Sequence, residues 1–149
     1  MGEGEDGYKY ILILKDDFSN YMWLFLTRTC ATSSAVKALT AWNAAFGLTK
    51  LWISDQGSHF KNEVLQKMAE ALQTKHHFTS AYHSQSNGSV EVVCREVIRG
   101  TRALLSEYNL GVSSWPRLTK MVQMVINQSP SPKLGDNITP MTAFTQQKP

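Results

Sequence analysis

Cysteine is scarce in this sequence. Its 149 residues hold two, Cys30 and Cys94, far apart and with no C-x-x-C or Cys/His spacing. Neither a disulfide framework nor a structural zinc site is expected, and a reducing compartment is the default. No apolar run approaches the ~20 residues that span a bilayer, so no membrane partner is expected. The opening MGEGEDGYKY lacks the basic-then-apolar pattern of a signal peptide. Charge is sparse too. With 18% charged residues, four tryptophans and 42% apolar content, the composition is not that of a solvating, disordered chain. A chain of this length buries roughly 70% of the surface exposed by its unfolded form, which suits one globular domain.

The net charge of +3 conceals an asymmetry. Residues 1–17 carry Glu3, Glu5, Asp6, Asp16 and Asp17 against Lys9 and Lys15, leaving 13 basic and 7 acidic residues in the remainder. That balance suits a face for polyanions, and many domains that bind none share it. Residues 1–7 read as a disordered acidic leader and residues 8–149 as a single domain without internal repeats.

Residues 8–15 (YKYILILK) and 22–29 (MWLFLTRT) are rich in β-branched and aromatic residues and flank the turn cluster at 16–20, so they predict a hairpin. Both strands are apolar at nearly every residue, as if covered on both faces. Capping side chains at Thr32, Ser33 and Ser34 open a helix with Val36, Leu39, Trp42 and Phe46 on one stripe, ended by Gly47. Residues 50–54 (KLWIS) read as a short buried strand. Val64, Leu65, Met68, Ala69 and Leu72 mark a second helix, followed by strand-like residues 76–81. Residues 82–88 (YHSQSNG) have no periodicity and read as a mobile loop. Beyond it, Val90, Val93, Cys94, Val97, Thr101, Leu104, Leu105 and Tyr108 keep helical spacing for five turns. A last helix over about 114–127 places Trp115, Leu118, Val122 and Val125 inside, and the tail is turn-rich. The order predicts a mixed α/β sheet with helices on both faces.

Two carboxylates stand where chemistry gathers in such folds. Asp55 follows a buried strand, at the end where α/β sheets bind ligands, and Glu91 opens the long helix. Brought together they could hold divalent cations for an in-line phosphoryl displacement. Hard oxygen donors suit Mg²⁺ or Mn²⁺, and the four histidines have no zinc-like spacing. Plainer roles exist: an aspartate before Gln-Gly serves as a turn residue, and a glutamate at a helix start is favoured by the macrodipole or pairs with Arg95. On the same helix Arg95, Arg99 and Arg102 follow Glu91 at spacings of 4, 4 and 3. They line one face opposite the apolar stripe, either as a phosphate-backbone track or as an ordinary solvated surface. His59, His76, His77 and His83 read as packing, strand or loop residues, and all four tryptophans as core.

The motifs around these carboxylates resemble a family. Ser54-Asp55-Gln56-Gly57-Ser58-His59-Phe60 is similar to the S-D-x-G-x-x-F motif of retroviral and retrotransposon integrase cores. Residues 82–91 (YHSQSNGSVE) resemble the family's active-site loop with its terminal glutamate. The 35 residues between Asp55 and Glu91 match the family's separation. Lys15-Asp16-Asp17-Phe18-Ser19 and the tail NQSPSPKLGDNITPMTAF at 127–144 are similar to gypsy-type retrotransposon integrases. The resemblance implies a ribonuclease H-like fold and metal-dependent processing and strand transfer of element DNA into target DNA. It implies Asp55 and Glu91 as catalytic ligands of Mg²⁺ or Mn²⁺, and DNA contacts from Tyr82, Gln85, Asn87 and Gly88. A homo-oligomeric intact enzyme acting in the nucleus is implied as well.

The family's triad is Asp, Asp, Glu, and its first aspartate is not matched. In gypsy-type cores the K-D-D-F-S turn follows the second strand, so the family pattern argues against Asp16 or Asp17 as that residue, and substitution for it by either stays open. The expectation is a chain lacking the first, central strand, with weak or absent catalysis. Ser84 replaces a usual proline, Val92 a usual Arg, and Cys94 a usual Asn. Three functions remain open: an integrase core, a non-catalytic nucleic-acid-binding or assembly remnant of one, and another metal nuclease of this fold.

Overall fold

The computed structural model describes residues 2–54, 60, 62–78 and 84–146, with no side chains described at 84–91. The chain divides into two compact units, Met1–Arg28 with Val93–Pro149, and Thr29–Val92.

In the first unit, β1 (Tyr10–Lys15) and β2 (Met22–Thr27) form an antiparallel ladder running from Tyr10 opposite Thr27 to Lys15 opposite Met22. The predicted hairpin is present. Its turn is organised by Asp16, whose Oδ2 accepts from the Ser19 N–H at 2.8 Å and the Ser19 hydroxyl at 2.6 Å. Asn20 takes the left-handed conformation, φ 59°, which asparagine tolerates better than most residues. The apolar character of both strands is used for packing. Leu24 is buried with Val97 and Val122, and Ile11, Ile13, Leu104 and Ile126 close around them. A second cluster joins Leu105, Trp115 and Leu118 to Tyr8, Ile11 and Leu26. Each such side chain contributes about 1.5–3 kcal/mol through removal from water.

The long helix is α3 (Ser84–Glu107), and α4 is Trp115–Gln128. Val93, Val97, Thr101 and Leu105 form the buried stripe of α3, as its periodicity predicts, while Cys94 and Tyr108 lie outside it. Along α4 the buried face runs through Trp115, Leu118 and Val122 to Asn127, leaving Val125 exposed. The tail holds α5 (Pro140–Thr145), started by Thr139 Oγ1 accepting from the Thr142 N–H at 3.1 Å. Tyr21 stacks on Phe144 at 4.4 Å, which fixes this helix to the hairpin.

The acidic opening is not a disordered leader. Gly4 is buried, Trp115 Nε1 donates to the Gly2 carbonyl at 3.1 Å, and the Glu5 carboxylate accepts from Ser114 Oγ at 2.8 Å and pairs with Arg117. Composition misses this because the contacts are specific partners at the start of α4 rather than an apolar pattern.

In the second unit, α1 (Thr32–Phe46) ends at Gly47, whose φ of 88° is open to glycine because it has no Cβ. Its buried residues are Ala35, Ala38 and Trp42, so the face is centred on small residues beside the predicted stripe. β3 (Leu51–Ser54) and β4 (Lys75–Phe78) pair in parallel, Leu51 opposite Lys75 through Ser54 opposite Phe78. Parallel pairing needs a crossover, supplied by α2 (Glu63–Ala71), which buries Leu65 and Ala69. Asn62 caps it, accepting from the Val64 N–H at 2.8 Å. Among the described residues no helix is long and apolar enough to cross a membrane.

Candidate functional site

The two carboxylates singled out by the sequence are Asp55, which follows β3 in the chain, and Glu91, which belongs to α3. Burial of Trp52 and the ladder to β4 define β3 as far as Ser54, and the next residue in the chain is Asp55. Asp55 itself, and Tyr82, lie outside the described residues. Ser54 Oγ is 2.9 Å from His76 Nε2, across the ladder. The imidazole lies between aromatic neighbours, with Phe78 at 4.3 Å and Trp52 edge-on at 6.0 Å. Burial lowers its pKa below the ordinary 6.5, so the ring is neutral at pH 7. Periodicity marks His76 only as a strand residue, since its partner is found by a diagonal of the ladder and not by sequence spacing.

The residues 82–88 do not form a loop throughout: α3 begins at Ser84, so Gln85, Asn87 and Gly88 belong to its first turns. Once the amphipathic stretch beyond residue 90 has nucleated the helix, each added residue needs only propagation. The roughly 1 kcal/mol cost of a helical Gly88 is then tolerable. Apolar periodicity cannot see such an extension, because these residues are polar. Glu91 consequently sits about two turns into α3 and not in its first turn, where the macrodipole would favour it most.

Arg95, Arg99 and Arg102 are all exposed, away from the buried stripe of Val93, Val97, Thr101 and Leu105. None has an ion pair with another described residue. The structure therefore brings these three together as a row of solvated guanidiniums on the helix that carries Glu91.

Asp16 is placed differently from a metal ligand, since its carboxylate caps the hairpin turn through Ser19. Together with Asp17 and Glu96 it acts on Lys15, whose pKa burial and Lys133 nonetheless lower. A cleft of about 450 Å³ between α2 and β4 is lined in part by Glu63, Gln66, Glu70 and His76. Its acids are already engaged, Glu63 with Lys67 at 2.7 Å and Glu70 with Gln66 at 3.4 Å. Among the described residues no group of three His, Cys, Asp or Glu could hold a metal ion. Asp55 and Glu91 offer two carboxylates, a donor chemistry that fits a hard cation.

Residues 1–84 match the integrase core domain family. The chain is 31% identical over 128 residues to the Pro-Pol polyprotein of Simian foamy virus type 1, covering 85% of this chain and 11% of that polyprotein. It is 33% identical over 126 residues to the Gag-Pol polyprotein of Baboon endogenous virus (strain M7), covering 84% and 7% respectively. The chain thus spans about a tenth or less of these viral polyproteins. Among solved structures it is similar to a chain of the simian T-cell lymphotropic virus intasome in complex with a PP2A regulatory subunit. That likeness has a TM-score of 0.78 at 18% identity, covering 95% of this chain and 50% of that one. It is also similar to the HTLV-2 integrase catalytic core domain in complex with magnesium, in its dimeric form. There the TM-score is 0.67 at 14% identity, with 92% and 84% covered. The mixed α/β fold expected from the sequence is that of a retroviral integrase catalytic core.

Proposed function

This chain belongs to the integrase core domain family, and we propose that it is the catalytic core of a gypsy-type retroelement integrase, acting on element ends and target DNA in the nucleus. The observation that carries this reading is the exposed row of Arg95, Arg99 and Arg102 on the helix of Glu91, none of which has an ion pair among the described residues. Guanidiniums at such spacing neutralise successive phosphates of a backbone laid along the helix. The gypsy-type assignment is supported by the K-D-D-F-S turn, residues 15–19, and by the tail at 127–144.

Asp55 and Glu91 would hold Mg²⁺ or Mn²⁺. When bound, a pair of such ions supplies charge stabilisation to the attacking and leaving oxygens of a phosphoryl displacement. Tyr82, Gln85, Asn87 and Gly88 contact the DNA near the scissile phosphate. The resemblance to the HTLV-2 integrase core, whose solved forms include a dimer and a trimer, supports a homo-oligomer. With Asp16 engaged as a turn cap, this chain alone offers two of the family's three carboxylates, so strand transfer by it is weak or absent. That same cap favours a second reading, a non-catalytic DNA-binding or assembly module retaining the arginine face.

Fluorescence anisotropy with a labelled DNA duplex, titrated in salt and in Mn²⁺, tests the proposal. Binding should weaken with salt. Replacing the three arginines by alanine should flatten the log–log slope by about 0.9 per residue. Mn²⁺ should strengthen binding only while Asp55 and Glu91 are intact, and metal-independent binding supports the second reading. Absence of DNA binding, or a slope unmoved by the arginine substitutions, overturns both.

A further inference from the structure

We propose that the outer edge of β4, with the cleft beside it, takes an extended basic peptide from a protein partner, added as a further strand to the β3–β4 pair.

The ladder fixes which backbone groups are free. The Lys75 N–H donates to the Lys50 carbonyl at 3.0 Å, so Lys75 and, two residues on, His77 are the residues of β4 that bond to β3. His76 and Phe78 turn their N–H and C=O groups to the opposite side, where no described residue pairs with them. The outer edge of β2 is treated otherwise, since Asn127 and Gln123 on α4 bond to the backbone groups of Met22 and Leu24. An edge left uncovered is a template for an incoming strand.

The cleft of about 450 Å³ between β4 and α2 decides what that strand carries. Its lining passes from buried Ala69 and Thr74, through half-buried His76 and Phe78, to exposed Glu63 and Glu70. The rings of His76 and Phe78 lie 4.3 Å apart and share one face of β4. A side chain added beside them on that face therefore enters the cleft that holds the two carboxylates. Glu63 and Glu70 stand seven residues apart on α2, about 10 Å along its axis. Lysines at alternate positions of a strand are ~7 Å apart, and their long stems span the difference. The present partners of these acids, Lys67 at 2.7 Å and Gln66 at 3.4 Å, are exposed, so an incoming ammonium displaces them at little cost. The same carboxylates repel a phosphate backbone, so this surface serves a protein partner and not the nucleic acid assigned to the arginine row.

The experiment uses the full chain and the peptide TKVKVT, labelled with fluorescein at its amino end and amidated at the other. Anisotropy should show binding that weakens with salt, and Glu63→Gln combined with Glu70→Gln should weaken it about tenfold. Hydrogen exchange followed by NMR should show the His76 and Phe78 amides slowed about tenfold by the peptide, with Lys75 and His77 unchanged. N-methylation of the peptide's two lysines, or of its two valines, separates strand addition from charge attraction. One of these sets faces β4, and its methylation should abolish binding, whereas methylation of the other should leave it intact. Equal effects of the two methylations, or exchange at His76 unmoved by bound peptide, overturn the proposal. So does an absence of binding, or binding unchanged in the double glutamate variant. Slow exchange at His76 in the peptide-free chain, deepening with protein concentration, overturns it in favour of a second copy of β4.

Discussion

Asn127 holds Met22 by both of its backbone polar groups: its Nδ2 donates to the Met22 carbonyl at 2.7 Å, and its Oδ1 accepts from the Met22 N–H at 2.9 Å. Two turns of α4 continue the arrangement. Gln123 Oε1 accepts from the Leu24 N–H at 2.9 Å, and Lys120 Nζ donates to the Leu24 carbonyl at 3.4 Å. Residues 22 and 24 turn these groups away from β1, so α4 satisfies the edge of β2 that would otherwise offer a template for another strand.

Asn127→Ala should be among the most damaging single changes in the chain. It leaves a buried donor and a buried acceptor without partners, at about 1–3 kcal/mol each, so a loss of about 3 kcal/mol is expected in urea unfolding. Gln123→Ala removes one bond at a less buried point and should cost about 1 kcal/mol. Equal, small effects from both would contradict the edge-sealing role.

Asn43 presents the opposite case. Both its side-chain polar atoms are buried, with no hydrogen-bond partner among the described residues. Asn43→Leu removes that desolvation penalty and improves helix propensity within α1, so a gain of about 1 kcal/mol is expected. The same urea experiment checks it, and a loss of stability would show that the amide is satisfied in solution.

These two asparagines show where sequence reading stops. Apolar periodicity located β1, β2, α1, α2, α3 and α4, because Leu24, Trp42, Leu65, Val97 and Val122 are buried for the reason the pattern encodes. It extended the α4 stripe to Val125, whereas the buried position is Asn127, a polar residue that only its partner on β2 explains. The helical start at Ser84 was invisible for a related reason: a solvated helix end carries no apolar signal. α5 did leave one, a threonine cap followed by proline at the first helical position, hidden among turn residues. In the candidate site, motif spacing singled out Asp55, Glu91 and the three arginines. His76 emerges only once the register of β3 against β4 is known.

Gly4→Ala tests whether the acidic opening is docked. An added Cβ would lie 2.4 Å from Pro116 Cγ and 2.7 Å from Trp115 Nε1, and neither ring can yield easily. The opening segment should detach, lowering stability by about 2 kcal/mol and shifting Trp115 fluorescence to the red. An unshifted spectrum would mean the segment does not cover the indole.

Stability should fall on acidification through the histidine range, and His76 should contribute. Above its ordinary pKa of 6.5 the ring is neutral in both folded and unfolded chains. Below it the unfolded chain takes up a proton first, because burial lowers the folded-state value, so the folded state loses ground until pH passes that lower value. His76→Phe should flatten this part of the pH–stability curve. An unchanged slope would show that the ring is solvated when folded.

The central claim, a divalent metal site made by Asp55 and Glu91, is tested most directly by loading the chain with Fe²⁺ in place of Mg²⁺ and generating hydroxyl radicals with ascorbate and peroxide. Radicals cut the backbone close to the ion that makes them. Two principal cuts are expected, near residue 55 and near residue 91, both suppressed by excess Mg²⁺ and both lost in Asp55→Asn. Cuts elsewhere, or cuts at these positions that survive Asp55→Asn, would contradict it.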